Sequence, residues 1–118
     1  VWGVVYKIDV RSGDTGRIVW RMDPGQEKVP LSNRGAALWG NLVISTASYP
    51  ARVIATNKDS GKIVWETNVS DGQVDLQLTA APLAVKDKIV VGTLKQGSAP
   101  EYCDGLDAVI ERAWQQIK

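Results

Sequence analysis

Residues 15–20 read Thr-Gly-Arg-Ile-Val-Trp, and residues 60–65 read Ser-Gly-Lys-Ile-Val-Trp. A near-duplicate at this separation marks a repeat architecture, a stronger constraint than any local propensity. Trp20 and Trp65 lie forty-five residues apart, and Trp114 follows forty-nine residues later. Each tryptophan is preceded by a strand-like run: residues 4–9, residues 52–57 and residues 102–108. A second pair supports the period, because Leu42-Val43-Ile44-Ser45-Thr46 recurs as Ile89-Val90-Val91-Gly92-Thr93 at an offset of forty-seven.

Turn formers separate these runs: Ser12-Gly13-Asp14 with Gly16, Gly40-Asn41, Lys58-Asp59-Ser60-Gly61, and Lys86-Asp87-Lys88. Short β-branched strands joined by such turns form consecutive antiparallel hairpins. Four strands in each ~45-residue unit is the arithmetic of a β-propeller blade. The reading is therefore all-β: antiparallel four-stranded blades, about two and a half of them, in an incomplete propeller. Residues 1–118 form one such segment. Residues 1–23 are the outer half of a blade, 34–68 a complete blade, and 80–118 a further blade diverged at its end. The complete blade has predicted strands at 36–39, 42–46, 52–56 and 62–67.

The repeated tryptophan has a packing task in this scheme. A ring on an outer strand reaches the neighbouring blade and buries ~150–250 Å². Gly16 and Gly61, four residues ahead of each tryptophan, are expected at positive φ in the turn. The last unit departs from the pattern. Residues 108–118 lack the turn glycine, and Leu106, Val109, Ile110, Ala113 and Ile117 fall at helical spacing, with Asp107 as a cap. Trp114 holds its repeat position and favours a strand.

Composition narrows the function. A net charge of +1 with interspersed signs gives no electrostatic case for nucleic acid or for a membrane surface. No apolar run approaches the ~20 residues that span a bilayer, and no signal peptide is seen at the start, which opens at Val1 in a strand-like run. Histidine is absent, which removes the commonest general base and every triad built on it. The single Cys103 makes neither an internal disulfide nor a structural zinc site.

The repeat A-x-D-x-x-T-G-x-x-x-W, the stretch Ser32–Glu66 with its Asn-Arg-Gly start, and Leu78–Gly92 with its Leu-Thr-Ala-Ala-Pro start resemble the quinoprotein alcohol dehydrogenases. The resemblance runs over most of residues 4–94 and thins beyond. It implies an eight-bladed, tryptophan-docking propeller, a periplasmic location and alcohol oxidation by pyrroloquinoline quinone (PQQ) with a calcium or lanthanide ion. It also implies that Arg34 and Thr79 lie beside the quinone. PQQ is a planar tricarboxylate, and a guanidinium fork pairs with a carboxylate bidentately, while a threonine hydroxyl donates to another oxygen. Read without the family, Arg34 is a turn arginine and Thr79 a strand-edge hydroxyl.

Departures from the family pattern weigh against a working site. Lys28 and Val29 stand where many members carry adjacent cysteines. Glu101 is the one carboxylate in residues 93–102 and is out of register with the family's metal-ligand glutamate. Calcium wants six to eight oxygens, so no metal ligand is assigned here. No catalytic residue is assigned either. Between Asp9 and Trp20 the first repeat carries three residues more than the second.

Three readings follow. The chain is a fragment or truncated relative of a PQQ-dependent alcohol dehydrogenase, contributing part of the cofactor wall and inactive alone. Alternatively it is a non-catalytic propeller piece used for binding, as in the scaffold propellers of outer-membrane assembly. In the third, it is a small protein that assembles through open blade edges, whose partner is a second copy or the remainder of a propeller.

Overall fold

The computed structural model describes residues 2–29, 31–73 and 75–95. These hold strands and no helix. A first hairpin pairs β1 (Val5–Asp9) with β2 (Arg17–Met22). Next, β3 (Ala37–Trp39), β4 (Leu42–Ala47), β5 (Arg52–Asn57) and β6 (Ile63–Asn68) form one four-stranded antiparallel sheet in chain order. A third hairpin joins β8 (Leu83–Val85) to β9 (Lys88–Val90). The short β7 (Leu76–Gln77) and β10 (Leu94–Lys95) pair with each other, a contact that no repeat in the sequence announces.

The middle sheet contains the four strands expected at 36–39, 42–46, 52–56 and 62–67, with ends shifted by a residue at most. The first hairpin is the outer half of a blade, and its geometry copies the outer half of the complete one. In β1–β2 the register skips Val19 between the pairs Lys7↔Trp20 and Ile8↔Ile18. In β5–β6 it skips Val64 between Ala55↔Trp65 and Thr56↔Ile63. The same bulge at the same repeat position makes Asp9 the counterpart of Asn57. Both side chains close the same local turn: Asp9 Oδ1 accepts from Arg11 N at 3.1 Å, and Asn57 Oδ1 accepts from Asp59 N at 2.9 Å.

Blades pack face to face through two clusters on opposite sides of the complete sheet. Ile44, Val53 and Ala55 point one way, into Val69, Leu76, Leu78 and Val91. Ile54 and Ala47 point the other way, into Met22 with Val5 and Trp20 of the first hairpin. The period-2 alternation of β4 and β5 thus feeds both sides, which is why the two strands read as nearly continuous buried runs. Ile44 and Ile54 are fully buried, each contributing roughly 1.5–3 kcal/mol through apolar burial.

Trp20 spans the gap between the first hairpin and the complete blade. Its indole Nε1 donates to the Lys58 carbonyl at 3.0 Å. The ring lies on Gly61, where a Cβ would sit 2.6 Å from Trp20 Cγ. Gly61 is therefore required twice, by its φ of +74° and by the ring above it.

Three sequence expectations change. Gly16 does not adopt positive φ; Gly13 does, at +79°. The three extra residues in this loop move the left-handed position upstream, and Gly16 is instead constrained by Ile8, whose Cγ2 would lie 2.9 Å from an added Cβ. The hairpins β3–β4 and β8–β9 close at Trp39↔Leu42 and Val85↔Lys88. Their strands are therefore equivalent at an offset of forty-six, not forty-seven. A one-residue slip decides which face each side chain takes. At the corrected offset Ser45 and Val91 are counterparts, and each faces the preceding blade. Finally, the chain does not open in a strand, because Trp2 and Gly3 form a turn with φ of 58° and 71° before β1 begins. The expectations for residues 96–118, including Glu101, Cys103, the run 102–108 and Trp114, fall outside the described residues.

Candidate functional site

The two residues singled out by sequence lie on different loops, and the fold brings them together. Arg34 belongs to the segment joining β2 to β3, and Thr79 to the segment joining β7 to β8. The backbone N–H of Arg34 donates to the Thr79 carbonyl at 3.0 Å. Both loops thus meet where the inner strands of adjacent sheets begin. Arg34 is exposed and Thr79 half-buried. Among the described residues no carboxylate pairs with the Arg34 guanidinium, so its fork remains available to an anionic ligand.

Local chemistry fixes the Asn-Arg-Gly turn. Asn33 Oδ1 accepts from Gly35 N at 3.0 Å, and Asn33 Nδ2 donates to the Thr46 carbonyl at 3.3 Å. Gly35 sits at φ +128°, a backbone conformation that favours glycine, while an added Cβ would make only an ordinary contact with Ala81 Cβ at 3.8 Å. The opposite loop is tied to the same strand. Thr46 Oγ1 donates to the Leu78 carbonyl at 3.4 Å, and Leu78 N donates to Ser48 Oγ at 2.9 Å. Ser48 N in turn donates to Gln26 Oε1 at 2.8 Å.

Thr46 and Ser48 are therefore the hub from which both candidate loops hang, and sequence reading did not single them out. The available signal was the run Ser45-Thr46-Ala47-Ser48. Small hydroxyl residues interrupt a strand whose neighbours are aliphatic, and buried hydroxyls must find partners. Beside this hub a cleft of about 290 Å³ opens between the first hairpin and the complete blade, lined by residues 3–6, Asn33, Gly35, Ala36 and Ser45. Ser45 is 2% exposed, and its Oγ makes no hydrogen bond.

Lys28 and Val29, which occupy the place of the family's cysteine pair, do not leave a bare platform. Lys28 Nζ stands 5.5 Å above the Trp2 ring, a cation–π contact. Val29 N closes a tight turn on the Glu27 carbonyl at 3.0 Å. Among the described residues no three His, Cys, Asp or Glu side chains converge as metal ligands.

Comparison with known proteins agrees with this architecture. Residues 2–116 match the PQQ-repeat family model described as "Outer membrane protein assembly factor BamB". The chain belongs to the quinoprotein alcohol dehydrogenase family of PQQ-repeat propellers. A quinohemoprotein alcohol dehydrogenase from Comamonas testosteroni is 34% identical across 97% of this chain. A quinoprotein alcohol dehydrogenase from Pseudomonas putida is 35% identical across 75% of it. The crystal structure of the Comamonas testosteroni enzyme superposes with a TM-score of 0.68 at 34% identity, over 80% of this chain and 15% of that one. A europium-containing methanol dehydrogenase gives 0.63 at 28% identity, over 78% and 17%.

The chain spans only 17% and 15% of the length of these two curated relatives. It is a partial propeller, with one four-stranded sheet and three two-stranded ones among the described residues. Those residues include no helix long and apolar enough to cross a membrane.

Proposed function

We propose that this chain forms part of the quinone-binding wall of a PQQ-dependent alcohol dehydrogenase. Arg34 and Thr79 are its cofactor-facing residues. The contact that carries the reading is the 3.0 Å hydrogen bond between their backbones. It joins the two loop backbones that carry Arg34 and Thr79, next to the starts of β3 and β8. Arg34 would pair with a PQQ carboxylate through its two-pronged fork, and Thr79 would donate to an adjacent oxygen. The Asn33–Thr46–Leu78 bonds hold both groups in place, so little ordering remains to be done on binding. When bound, PQQ supplies the two-electron redox chemistry that no side chain in this chain offers. The calcium or lanthanide ion of the family, the remaining wall and the catalytic carboxylate would come from outside the described residues. The tryptophan contact at Lys58 and Gly61 is read as one unit of a docking repeat, and the location as the periplasm.

The test is fluorescence titration of the chain with PQQ, alone and with calcium or a lanthanide. Saturable quenching that weakens at least tenfold in Arg34→Ala is expected, since hydrogen bonds to charged groups contribute about 1.5–3 kcal/mol. Equal quenching in both proteins would sink the assignment of Arg34. Alcohol-dependent dye reduction is expected to be absent from the chain alone.

A second reading has one specific support, the outer-membrane assembly description attached to the matching family model. In that case the blades are a non-catalytic binding scaffold. PQQ would then leave the fluorescence of both proteins unchanged.

A further inference from the structure

Thr79 lies in a stretch of chain whose backbone is bonded on successive peptide planes. Leu78 N donates to Ser48 Oγ at 2.9 Å, and Thr46 Oγ1 donates to the Leu78 carbonyl at 3.4 Å. The Thr79 carbonyl then accepts from Arg34 N at 3.0 Å. Each peptide unit is planar, so fixing the planes before and after Thr79 fixes its φ and ψ. The direction of its Cα–Cβ bond follows, and with it the reach of the hydroxyl. Of the two side chains that grip Leu78, Ser48 makes the tighter bond, since 3.4 Å is beyond the usual hydrogen-bond range.

Ser48 is itself held from a third segment. It is 2% exposed, and its N–H donates to Gln26 Oε1 at 2.8 Å. Gln26 is 9% exposed and lies two residues before Lys28. A buried amide needs a fixed partner, and the Ser48 N–H supplies one. The cofactor reading of Arg34 and Thr79 makes no use of Gln26.

We propose that Ser48 is the positioning residue of Thr79, and that Gln26 sets Ser48. This rests on the cofactor reading and deepens it. The site is built as two arms on the end of β4. In one, Asn33 closes the turn on Gly35 N and ties it to the Thr46 carbonyl, which orients Arg34. In the other, Gln26 holds Ser48 and Ser48 holds Leu78, which orients Thr79. Ser48 and Gln26 act through the backbone and not on the cofactor. Without that hold the loop must be ordered on binding, which lowers affinity.

The test uses the full 118-residue chain and has two readouts. The first is amide hydrogen exchange by NMR, without PQQ. Ser48→Ala should speed exchange about tenfold at Leu78, whose buried bond is lost, and to a smaller extent at Arg34. Gln26→Met should speed exchange at Ser48 and Leu78. The Asn57 amide, bonded to the Lys62 carbonyl at 2.8 Å at the far end of the sheet, should not change. The second readout is PQQ titration as a double-mutant cycle. Ser48→Ala should weaken binding about fivefold in the unsubstituted chain and in Arg34→Ala, since a hydrogen bond to a charged group is misplaced. In Thr79→Val the same change should cost less than about twofold.

Unchanged exchange at Leu78 and Arg34, or equal acceleration at Asn57, overturns the proposal. So does an equal loss of PQQ affinity in all three backgrounds. Unchanged exchange at Ser48 in Gln26→Met removes Gln26 from the arm. If PQQ leaves the unsubstituted chain unquenched, the cofactor reading fails, and the exchange pattern alone decides whether Ser48 holds Thr79.

Discussion

The first hairpin and the outer half of the complete blade are two readings of one repeat, and they differ in what covers them. Both have the bulge before the tryptophan and the Asx-type turn after the first strand. Yet β5 is buried along four successive residues, while β1 alternates between half-buried and exposed. The sequences of the strands do not cause this. β5 has β4 hydrogen-bonded to its inner edge and apolar clusters on both faces, whereas among the described residues β1 has an apolar cluster on one face only. A blade-type strand therefore gains most of its burial from the sheet and the blade beside it, not from its own hydrophobicity.

Substitutions at counterpart positions test that contrast, and chemical denaturation at a concentration where the chain is monomeric reads them. The largest effect is expected at Ile54, which has no exposed surface. Ile54→Ala should cost about 2–5 kcal/mol, the usual range for emptying a core site. Its counterpart Tyr6 is half-exposed, and Tyr6→Ala should cost less than about 1 kcal/mol. Similar losses at the two positions would mean that the first hairpin is already covered.

The tryptophans give the next contrast. Trp20→Ala removes a ring packed on Gly61 and the bond to the Lys58 carbonyl, and about 3 kcal/mol should be lost. Trp65→Ala should lose under about 1 kcal/mol in the monomer. Equal losses would show that Trp65 has docked within the chain.

The turn glycines follow. Gly61→Ala forces a left-handed backbone on alanine and drives Cβ into Trp20, for about 2–3 kcal/mol. Gly16→Ala brings the new Cβ to 2.9 Å from the Cγ2 branch methyl of the exposed Ile8, which must rotate or shift, so about 1 kcal/mol is expected. Reversal of that order would remove the assignment of the left-handed position to Gly13.

The smallest effect separates Asp9 from Asn57. Hydrogen bonds from Arg11, with Arg17 beside it, hold the Asp9 carboxyl at about 2, below its ordinary 3.8. A carboxylate with a depressed folded value stabilises the fold above the unfolded value, and that contribution disappears as pH falls through about 2. The stability difference between the protein and Asp9→Asn should therefore be constant near neutrality and shrink between about pH 4 and pH 2. A difference that persists unchanged at pH 2 would show that the carboxylate charge is irrelevant. Asn57 carries no charge, so Asn57→Ala should show no such acid dependence.

The resemblance to the quinoprotein alcohol dehydrogenases singled out Arg34 and Thr79, whereas local grammar alone announced only a turn. Asn33 and Gly35 announce a turn that places Arg34 at its apex, and the repeat positions that turn before an inner strand. The backbone contact between Arg34 and Thr79 was not legible. Thr79 lies forty-five residues away, and only the stacking of one sheet on the next brings its carbonyl to the Arg34 N–H. Thr46 and Ser48 escaped notice for the same reason, since their hydroxyls are explained by loops distant in sequence. The one-residue shift of β9 was also hidden. A run of four aliphatic and small residues looks alike in either register, and only pairing across the two-residue turn distinguishes them.

The sequence by itself determined the repeat, the strands, the turns and the tryptophan period, because these follow from backbone stereochemistry and period-2 patterning within a few residues. The tertiary structure decided which faces are buried and which hydroxyls find partners. It also decided which loops meet at Arg34 and Thr79. Those outcomes depend on contacts between residues twenty to fifty positions apart, where no local preference selects one neighbour over another.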